Sequence, residues 1–522
     1  RLLKPGGRLS FIIPDRFLYS PYGTKLRELI LNTCAIEEII DLTNVRVFPH
    51  QSVWNVILIL RKEAGPTVRE NNQVRVGVVP SGYPVADGIP EPALSMPQSD
   101  FRSVPGFQFR LQLRDPQLRM VVRKIEDAGT RLDEIYYINW GLRTGTDEKT
   151  QRLITTDGSQ PLAKRLIRGE NIVDRYLLEW TGQYITYDPK QLVNPLFREV
   201  LDAPKIVIRK ISGARGLFAS YDAEGFYPFS TVILALPFST LETVERARVP
   251  SGAAEKSKAF HPLFVLAVIN SKAARYYFDA MITDGLSVAP DQVRQVPIPS
   301  ASDDVQRSVG YRVTNLLRLQ KELREETRLA AYRHVVATRT RAGEDDLGHY
   351  MNRLGESDLG IGSRLDGVSK ARNAVVSPEI RGDNLVLRVR FEEGKPARER
   401  AGEIVCRFEH SLSRFLALTL DDRETPTLGS GRLMSKIRSV KVPRFDPDWE
   451  RHLEVVREMV TTVERHEKRA EEISAEIKAE EREIDLTVYG LYRLDELEIA
   501  AIEAYESTSI DTPMELGHNS RE

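Results

Sequence analysis

The run Val53-Trp-Asn-Val-Ile-Leu-Ile-Leu60 carries no charge and has no polar face to give to water, so it calls for burial on both sides. Eight residues is the length of a strand, and no stretch of about 18 uncharged apolar residues occurs that could cross a membrane. A central strand needs neighbours. The residues before it supply them in alternation: Leu9 to Ile13 reads as a strand, Gly23 to Leu31 as a helix and Ile36 to Asp41 as a second strand. That rhythm is the one of an α/β sheet. The opening Arg1-Leu-Leu-Lys-Pro-Gly-Gly-Arg8 reads as the end of a helix, stopped at Gly6-Gly7, and its turn into a strand. The expectation is a fragment whose upstream part supplies the strands that Leu9 to Ile13 pairs with.

One sheet cannot account for 522 residues, which suggest about three or four units. Residues 65–105 are rich in Pro, Gly and Ser and read as a linker. Between 106 and 300, short β-prone runs such as Gln183 to Tyr187, Lys205 to Arg209 and Thr231 to Leu236 alternate with Gly, Pro and Asp turns, the pattern of a mixed α+β domain. Within 301–342, Asp303 to Arg341 lacks proline and repeats apolar residues at Val305, Val309, Val313, Leu316 and Leu317, which predicts one long helix. Its expected antiparallel partner lies in 446–522, over about Asp448 to Ile484, where Val456, Val460, Val463, Ala470, Ile473, Ile477 and Ile484 keep a spacing of three or four. Residues 343–445, with β-like runs at Leu385 to Phe391 and Glu403 to Phe408, read as an inserted α+β segment.

Charge is balanced overall, 74 Lys+Arg against 75 Asp+Glu, but not locally. Residues 101–220 hold 20 cations and 14 anions, whereas 441–522 hold 11 and 22. A basic block permits a polyanionic ligand. The two cysteines, Cys34 and Cys406, are too far apart in sequence to suggest a disulfide framework or zinc cluster, which fits a reducing, cytoplasmic setting. None of the eight histidines forms a metalloprotease spacing, and no Gly-x-Ser-x-Gly or Walker-type loop occurs.

Leu3-Lys-Pro-Gly-Gly-Arg-Leu-Ser-Phe-Ile-Ile-Pro14, the helix through Leu26 and Leu29, and Val47-Phe-Pro-His-Gln-Ser-Val-Trp-Asn-Val-Ile-Leu-Ile-Leu60 stand in a telling order. This order resembles the second half of the catalytic domain of the DNA adenine-N6 methyltransferases that include the TaqI enzyme. The resemblance implies a Rossmann-like methyltransferase sheet of which only a remnant is present. It also implies that Phe48 stacks on the target adenine after the base is flipped out, returning part of the stacking and pairing free energy given up. Read from the residues alone, Phe48 caps the hydrophobic core at the mouth of a hairpin. The family's glycine-rich S-adenosylmethionine loop and its Asn-Pro-Pro-Tyr motif both precede this stretch. Neither is in the chain, which has no Pro-Pro dipeptide, and whose Gly360-Ile-Gly362 and Gly429-Ser-Gly431 follow no strand of the right kind. The resemblance therefore implies S-adenosylmethionine as cofactor of the complete enzyme and a chain catalytically incomplete alone.

Further on come Ile138-Asn-Trp-Gly-Leu-Arg-Thr-Gly-Thr-Asp147, Pro161 to Tyr176, Gln183 to Asp188, Lys205 to Lys210, Leu266 to Lys272 and Val293-Arg-Gln-Val-Pro-Ile-Pro299. In this order they resemble the TaqI-like C-terminal specificity domain, which implies double-stranded DNA as partner. Basic residues interleaved with small polar ones suit that partner, because Lys and Arg neutralise phosphates while Arg and Asn on loops can read base edges. The candidates are Arg143, Thr144, Thr146, Lys164, Arg165, Arg168, Asn171, Lys205, Arg209, Lys210 and Arg215; the rival reading of several is a solvated surface charge paired with nearby Asp or Glu. Val488 to Glu498 looks like the C-terminal segment of longer fused restriction-modification proteins, in which a nuclease domain or subunit is a further partner. Two functions follow: a site-specific DNA adenine-N6 methyltransferase of a restriction-modification or phage-defence system, here as a fragment, or a non-catalytic specificity subunit that docks a separate enzyme.

Overall fold

Gly6, at φ 75°, turns the chain into β1 (Arg8–Pro14), and the helix α1 (Thr24–Thr33) returns it to β2 (Cys34–Asp41). In this computed structural model residues 3–45, 47–48, 54–80, 83, 88–92, 94–111, 116–211, 217–282, 287–353, 359–361, 365, 368–394, 397–422 and 432–510 are described. The strand β3 (Asn55–Lys62) inserts between β1 and β2 and runs antiparallel to both. β1 and β2 are therefore parallel, joined by a helical crossover. β3 is central, as its composition requires, with Val56, Leu58 and Leu60 buried and Ile57 and Ile59 half-buried. Its outer neighbour is not: every residue of β1 is exposed or half-exposed, including Leu9, Phe11 and Ile12.

Residues 65–105 are not a linker. They add β4 (Gln73–Val78), parallel to β2, and β5 (Leu94–Pro97), antiparallel to β4, completing a five-stranded sheet of order β1-β3-β2-β4-β5. Composition concealed two short strands whose Val74, Val76 and Met96 are buried. The buried Gln98 seals them in: its Oε1 accepts from Ile36 N (2.8 Å) and Asn72 Nδ2 (2.9 Å), and its Nε2 donates to Cys34 O (3.0 Å). On the far side of α1 the fully buried guanidinium of Arg27 donates to Phe17 O, Ser20 O and Gly106 O at 2.6–2.9 Å. Backbone carbonyls, rather than a carboxylate, satisfy it.

Between residues 129 and 300 the described residues form two four-stranded sheets. One orders β12 (Tyr227–Pro228), β8 (Ala163–Ile167), β9 (Tyr184–Thr186) and β7 (Ile154–Thr155); the other orders β11 (Ala219–Asp222), β10 (Lys205–Arg209), β13 (Val232–Pro237) and β6 (Tyr136–Trp140).

The chain divides into two compact units, residues 1–317 with 479–522, and residues 318–478. The expected single helix 303–341 is two, α2 (Asp303–Ala330) and α3 (Tyr332–Ala337), because Ala331 leaves helical geometry at ψ 123°. The partner helix α7 (Trp449–Leu491) is longer than its apolar repeat. In the first unit Arg312 Nη1 meets Glu480 Oε2 at 2.7 Å; in the second Arg469 Nη2 meets Glu322 Oε1 and His466 Nδ1 meets Glu326 Oε2, both at 2.6 Å. In the first unit Arg312 also meets Glu483 (3.4 Å) and Asn315 Nδ2 donates to Glu480 Oε1 (2.9 Å), so in each unit one residue number rises as its partner's falls, as in an antiparallel pair.

The second unit centres on three long strands, β15 (Arg372–Arg381), β16 (Asn384–Glu393) and β17 (Arg398–Cys406), with the helix α5 (His410–Asp422) on their apolar face. The β-like runs at 385–391 and 403–408 fall within or overlap β16 and β17. In its core His452 is fully buried among Tyr350, Phe415, Phe445 and Trp449. Phe445 N donates to its Nδ1 (3.4 Å), leaving Nε2–H to donate to Tyr350 Oη (3.0 Å). This tautomer is the neutral one. Burial, reinforced by the nearby Arg444 cation, lowers the His452 pKa to about 4. The unfolded chain takes up a proton near pH 6.5 that the folded one refuses, so stability is full above that pH and falls as pH drops toward 4. We expect denaturant midpoints measured from pH 7 to pH 4 to report a loss of up to about 3 kcal/mol. A His452→Gln variant should lack that component.

Candidate nucleic-acid interface

Three strands of the first unit end beside one short connection. The link from β12 to β13, residues 228–232, accepts Leu142 N at Pro228 O (2.7 Å) and Gly141 N at Val232 O (2.9 Å), donates from Phe229 N to Ile167 O (2.8 Å), and holds Gly169 N on Thr231 Oγ1 (2.9 Å) and Lys210 N on Thr231 O (3.0 Å). The ends of β6, β8 and β10 are thereby clamped together. Each is followed by cations: Arg143 after β6, Arg168 after β8, and Arg209 with Lys210 at the end of β10. Gly141 is required by the approach, since a Cβ there would lie 2.3 Å from Phe229 O and 2.4 Å from Pro228 O.

Aromatic rings place two of these cations. Lys210 Nζ lies 4.9 Å from the centroid of Trp140, and the Arg168 guanidinium 5.2 Å from that of Phe229. Such contacts favour a cation while leaving its donors free for a ligand. Arg143 is exposed, and Arg209 donates one long hydrogen bond to Ile172 O (3.5 Å). None of the four forms an ion pair with a described carboxylate, in a chain where many surface arginines do. The backbone N–H of Arg168 is held by Asn171 Oδ1 at 2.7 Å.

The other sequence candidates separate into distinct roles. Lys205 is a correction: its side chain and that of Asp222 are both fully buried, and its ammonium meets Asp222 Oδ2 (2.8 Å), Leu201 O (2.6 Å) and Ala203 O (3.0 Å). All three protons are used and none reaches solvent. Burial pushes its pKa down, with Asp222 opposing. Thr144 and Asn171 are also buried. The Thr144 hydroxyl bonds that of Thr150, while Asn171 Nδ2 donates to Glu179 O at 2.7 Å. Both shape the clamp from inside, and neither is a surface contact. Thr146 caps the helix Asp147–Leu153 by accepting from Lys149 N (3.3 Å). Arg165 pairs with Glu224 (2.7 Å) and covers the Phe226 ring at 4.5 Å. Lys164 shares with it a cleft of about 330 Å³ that also holds Asp202 and Glu224. Mixed charge there makes Lys164 and Arg165 poorer phosphate contacts than the clamped four. Arg215 lies outside the described residues.

Phe48 sits between β2 and β3 with 42% of its surface exposed, while Val45 and Val47 beside it pack on Ile40, Leu42 and Val79. The flanking 46 and 49–53 lie outside the described residues. Sequence reasoning overlooked Trp140, Phe229 and Thr231. Trp140 and Phe229 each stand within two residues of a strand end, which is the signal available, but only the fold brings them under cations far away in sequence.

Residues 1–48 match the sequence model of the Eco57I restriction-modification methylase, and residues 164–246 that of the TaqI-like C-terminal specificity domain. No curated protein matches the chain. Among solved structures, the type IIG restriction endonuclease BpuSI is 14% identical, covers 60% of this chain and 42% of its own, and gives a TM-score of 0.27. The type I restriction-modification S subunit from M. genitalium is 11% identical over 69% of this chain and 95% of its own, with a TM-score of 0.35. A DrdV–DNA complex is 10% identical over 91% and 51%, with a TM-score of 0.32. The chain thus spans less than half the length of BpuSI.

Proposed function

We propose that this chain is the DNA-recognition part, with the last catalytic strands, of a site-specific DNA adenine-N6 methyltransferase in a restriction-modification or phage-defence system. The observation that carries the reading is the cluster of four cations, none in an ion pair with a described carboxylate, at the clamped ends of β6, β8 and β10, most of it inside the segment matching a specificity-domain model. Such a cluster on a rigid support neutralises phosphates and presents Arg forks to base edges. The methylase match over residues 1–48 supports assigning the first sheet to a catalytic domain, and the uncovered, apolar β1 supports further strands seating on it. Phe48, exposed at the mouth of the β2–β3 connection, is available to stack on an extrahelical adenine.

S-adenosylmethionine supplies the methyl group in this chemistry. The residues present do not fit it: β1 is followed by Asp15-Arg16-Phe17-Leu18 and β2 by Leu42-Thr43-Asn44-Val45, neither of them a glycine-rich turn. The chain alone should transfer no methyl group from S-adenosylmethionine to DNA, assayed with labelled donor on mixed-sequence duplex. Transfer by the pure chain would overturn the fragment reading. In the completed enzyme, Phe48→Ala should lower kcat by about 10-fold or more, within the few kcal/mol that flipping costs, and leave duplex affinity within about twofold.

The specificity-subunit reading is favoured by one observation, the antiparallel pairing of α2 with α7. It predicts that the chain binds DNA and captures a separate methyltransferase without ever completing its first sheet.

A further inference from the structure

From Arg432 to Phe445 the chain has five cations, Arg432, Lys436, Arg438, Lys441 and Arg444, and not one carboxylate. This stretch belongs to the second unit and forms α6 (Leu433–Arg438) and β18 (Lys441–Arg444), the latter antiparallel to β14 (Gly343–Asp346). The helix α4 (Leu347–Asn352) packs on α6 closely enough that a Cβ on Gly348 would meet Arg438 Cβ at 3.0 Å. Contact at that point sends the Arg438 side chain to Asn352, whose Oδ1 accepts from its Nη1 at 2.8 Å. Arg353, next along, lays its guanidinium 3.9 Å from the centroid of Trp449, with Arg444 4.8 Å from the same ring.

The carboxylates of this surface are largely committed. Asp345 holds Arg444 and His349, Asp346 holds Lys441 at 2.8 Å, and Glu344 has interactions of its own. Arg353, Arg432, Lys436 and Arg438 pair with no described carboxylate. A helix-end role explains part of this, since Lys436 and Arg438 lie in the last turn of α6 where cations offset the carbonyl ends. It does not explain Arg432, exposed at the N-terminal end of α6, where a cation gains nothing from the helix; Arg353, exposed at the end of α4, is placed by Trp449 rather than by a carboxylate.

We propose that this face of the second unit is a sequence-independent docking surface for the phosphate backbone of duplex DNA, formed by Arg353, Arg432, Lys436 and Arg438. It has no base-reading loop among the described residues. What the face offers is four cations that pair with no described carboxylate, on a support packed through Leu347, Tyr350, Leu433, Ile437 and Val442. The proposal rests on the reading of the first unit as a DNA-recognition module, and it assigns the second unit the task of adding affinity without specificity.

The test is a salt titration on the full chain with two long duplexes of unrelated mixed sequence. Replacing Arg353, Lys436 and Arg438 by Ala should flatten the slope of log K against log salt by about 0.9 for each phosphate no longer neutralised, to the same extent on both duplexes. An unchanged slope, while alanines at Arg143, Arg168 and Lys210 still weaken binding, overturns the proposal and leaves the first-unit reading standing. If neither set changes binding, the DNA reading itself fails. Lys436→Glu, at a side chain with no described partner, repeats the measurement without disturbing the Asn352 and Trp449 contacts. A cutting probe tethered at Lys436→Cys should cleave bound duplex, since Cys34 and Cys406 are buried and will not take the label. Absence of cleavage from a probe-loaded, DNA-bound chain counts against the surface equally.

Discussion

Lys205→Met should destabilise the folded chain by about 3–5 kcal/mol, seen as a shift in the urea midpoint. The ammonium and the Asp222 carboxylate are both fully withdrawn from water, so removing one charge leaves the other buried without its counter-ion. Asp222 would keep the donations from Glu224 N and Phe226 N, both 2.9 Å, which soften the loss without cancelling it. Replacing both members by apolar residues, Lys205→Met with Asp222→Leu, should be less harmful than the single change, because no unpaired charge remains. A phosphate-binding lysine would behave in the opposite way, losing DNA affinity at constant stability. The two measurements together separate a structural cation from an interface one.

The largest expected effect on binding comes from alanines at Arg143, Arg168 and Lys210 together. Each contact to phosphate or base is worth roughly 1 kcal/mol or more, so affinity for a specific duplex should fall about a hundredfold at constant salt. The slope of log K against log salt should flatten by up to about 2.7 units if all three meet phosphates, and by less if some read bases. Arg168→Lys separates these cases: an ammonium restores a phosphate contact but not a bidentate guanine contact. Alanines at Lys164 and Arg165 should cost distinctly less, because Asp202 and Glu224 stand beside them. If that pair matters as much as the triple, the interface lies on the wrong side of β8.

What the sequence made legible follows from how local each signal was. Apolar runs such as Val53 to Leu60 and Leu385 to Phe391 report their own burial, and strands form over Asn55–Lys62 and Asn384–Glu393. The sheet strands at 73–78 and 94–97 were hidden because Pro and Gly recur through the segment around them, while their buried residues Val74, Val76 and Met96 are covered by partners elsewhere. The helix break at Ala331 carries no proline or glycine, so no local residue announced it. Lys205 looked like a surface cation because its neutralising partner lies 17 residues downstream. Thr144 and Asn171 were misplaced for the same reason: a polar side chain whose acceptors are assembled by the fold looks identical, in sequence, to one facing water. Arg143, Arg168, Arg209 and Lys210 were readable as cations, but their convergence was not. It depends on hydrogen bonds to residues 228–232, a short turn-like link without a basic residue.

That link also constrains how such a protein could change its target over generations. Thr231 bonds two strand ends at once, through its hydroxyl and its carbonyl, and its neighbours hold the third, so an insertion in any one of these turns would displace the other two. Side-chain exchange at the cationic positions leaves the clamp intact, whereas length variation beside it does not. Diversification should therefore proceed by substitution at the clamped ends and by insertion only in segments the link does not touch, such as 156–161 between β7 and β8. New specificities requiring a different backbone would have to arrive by exchange of the whole assembly from β6 to β13, inherited as one block.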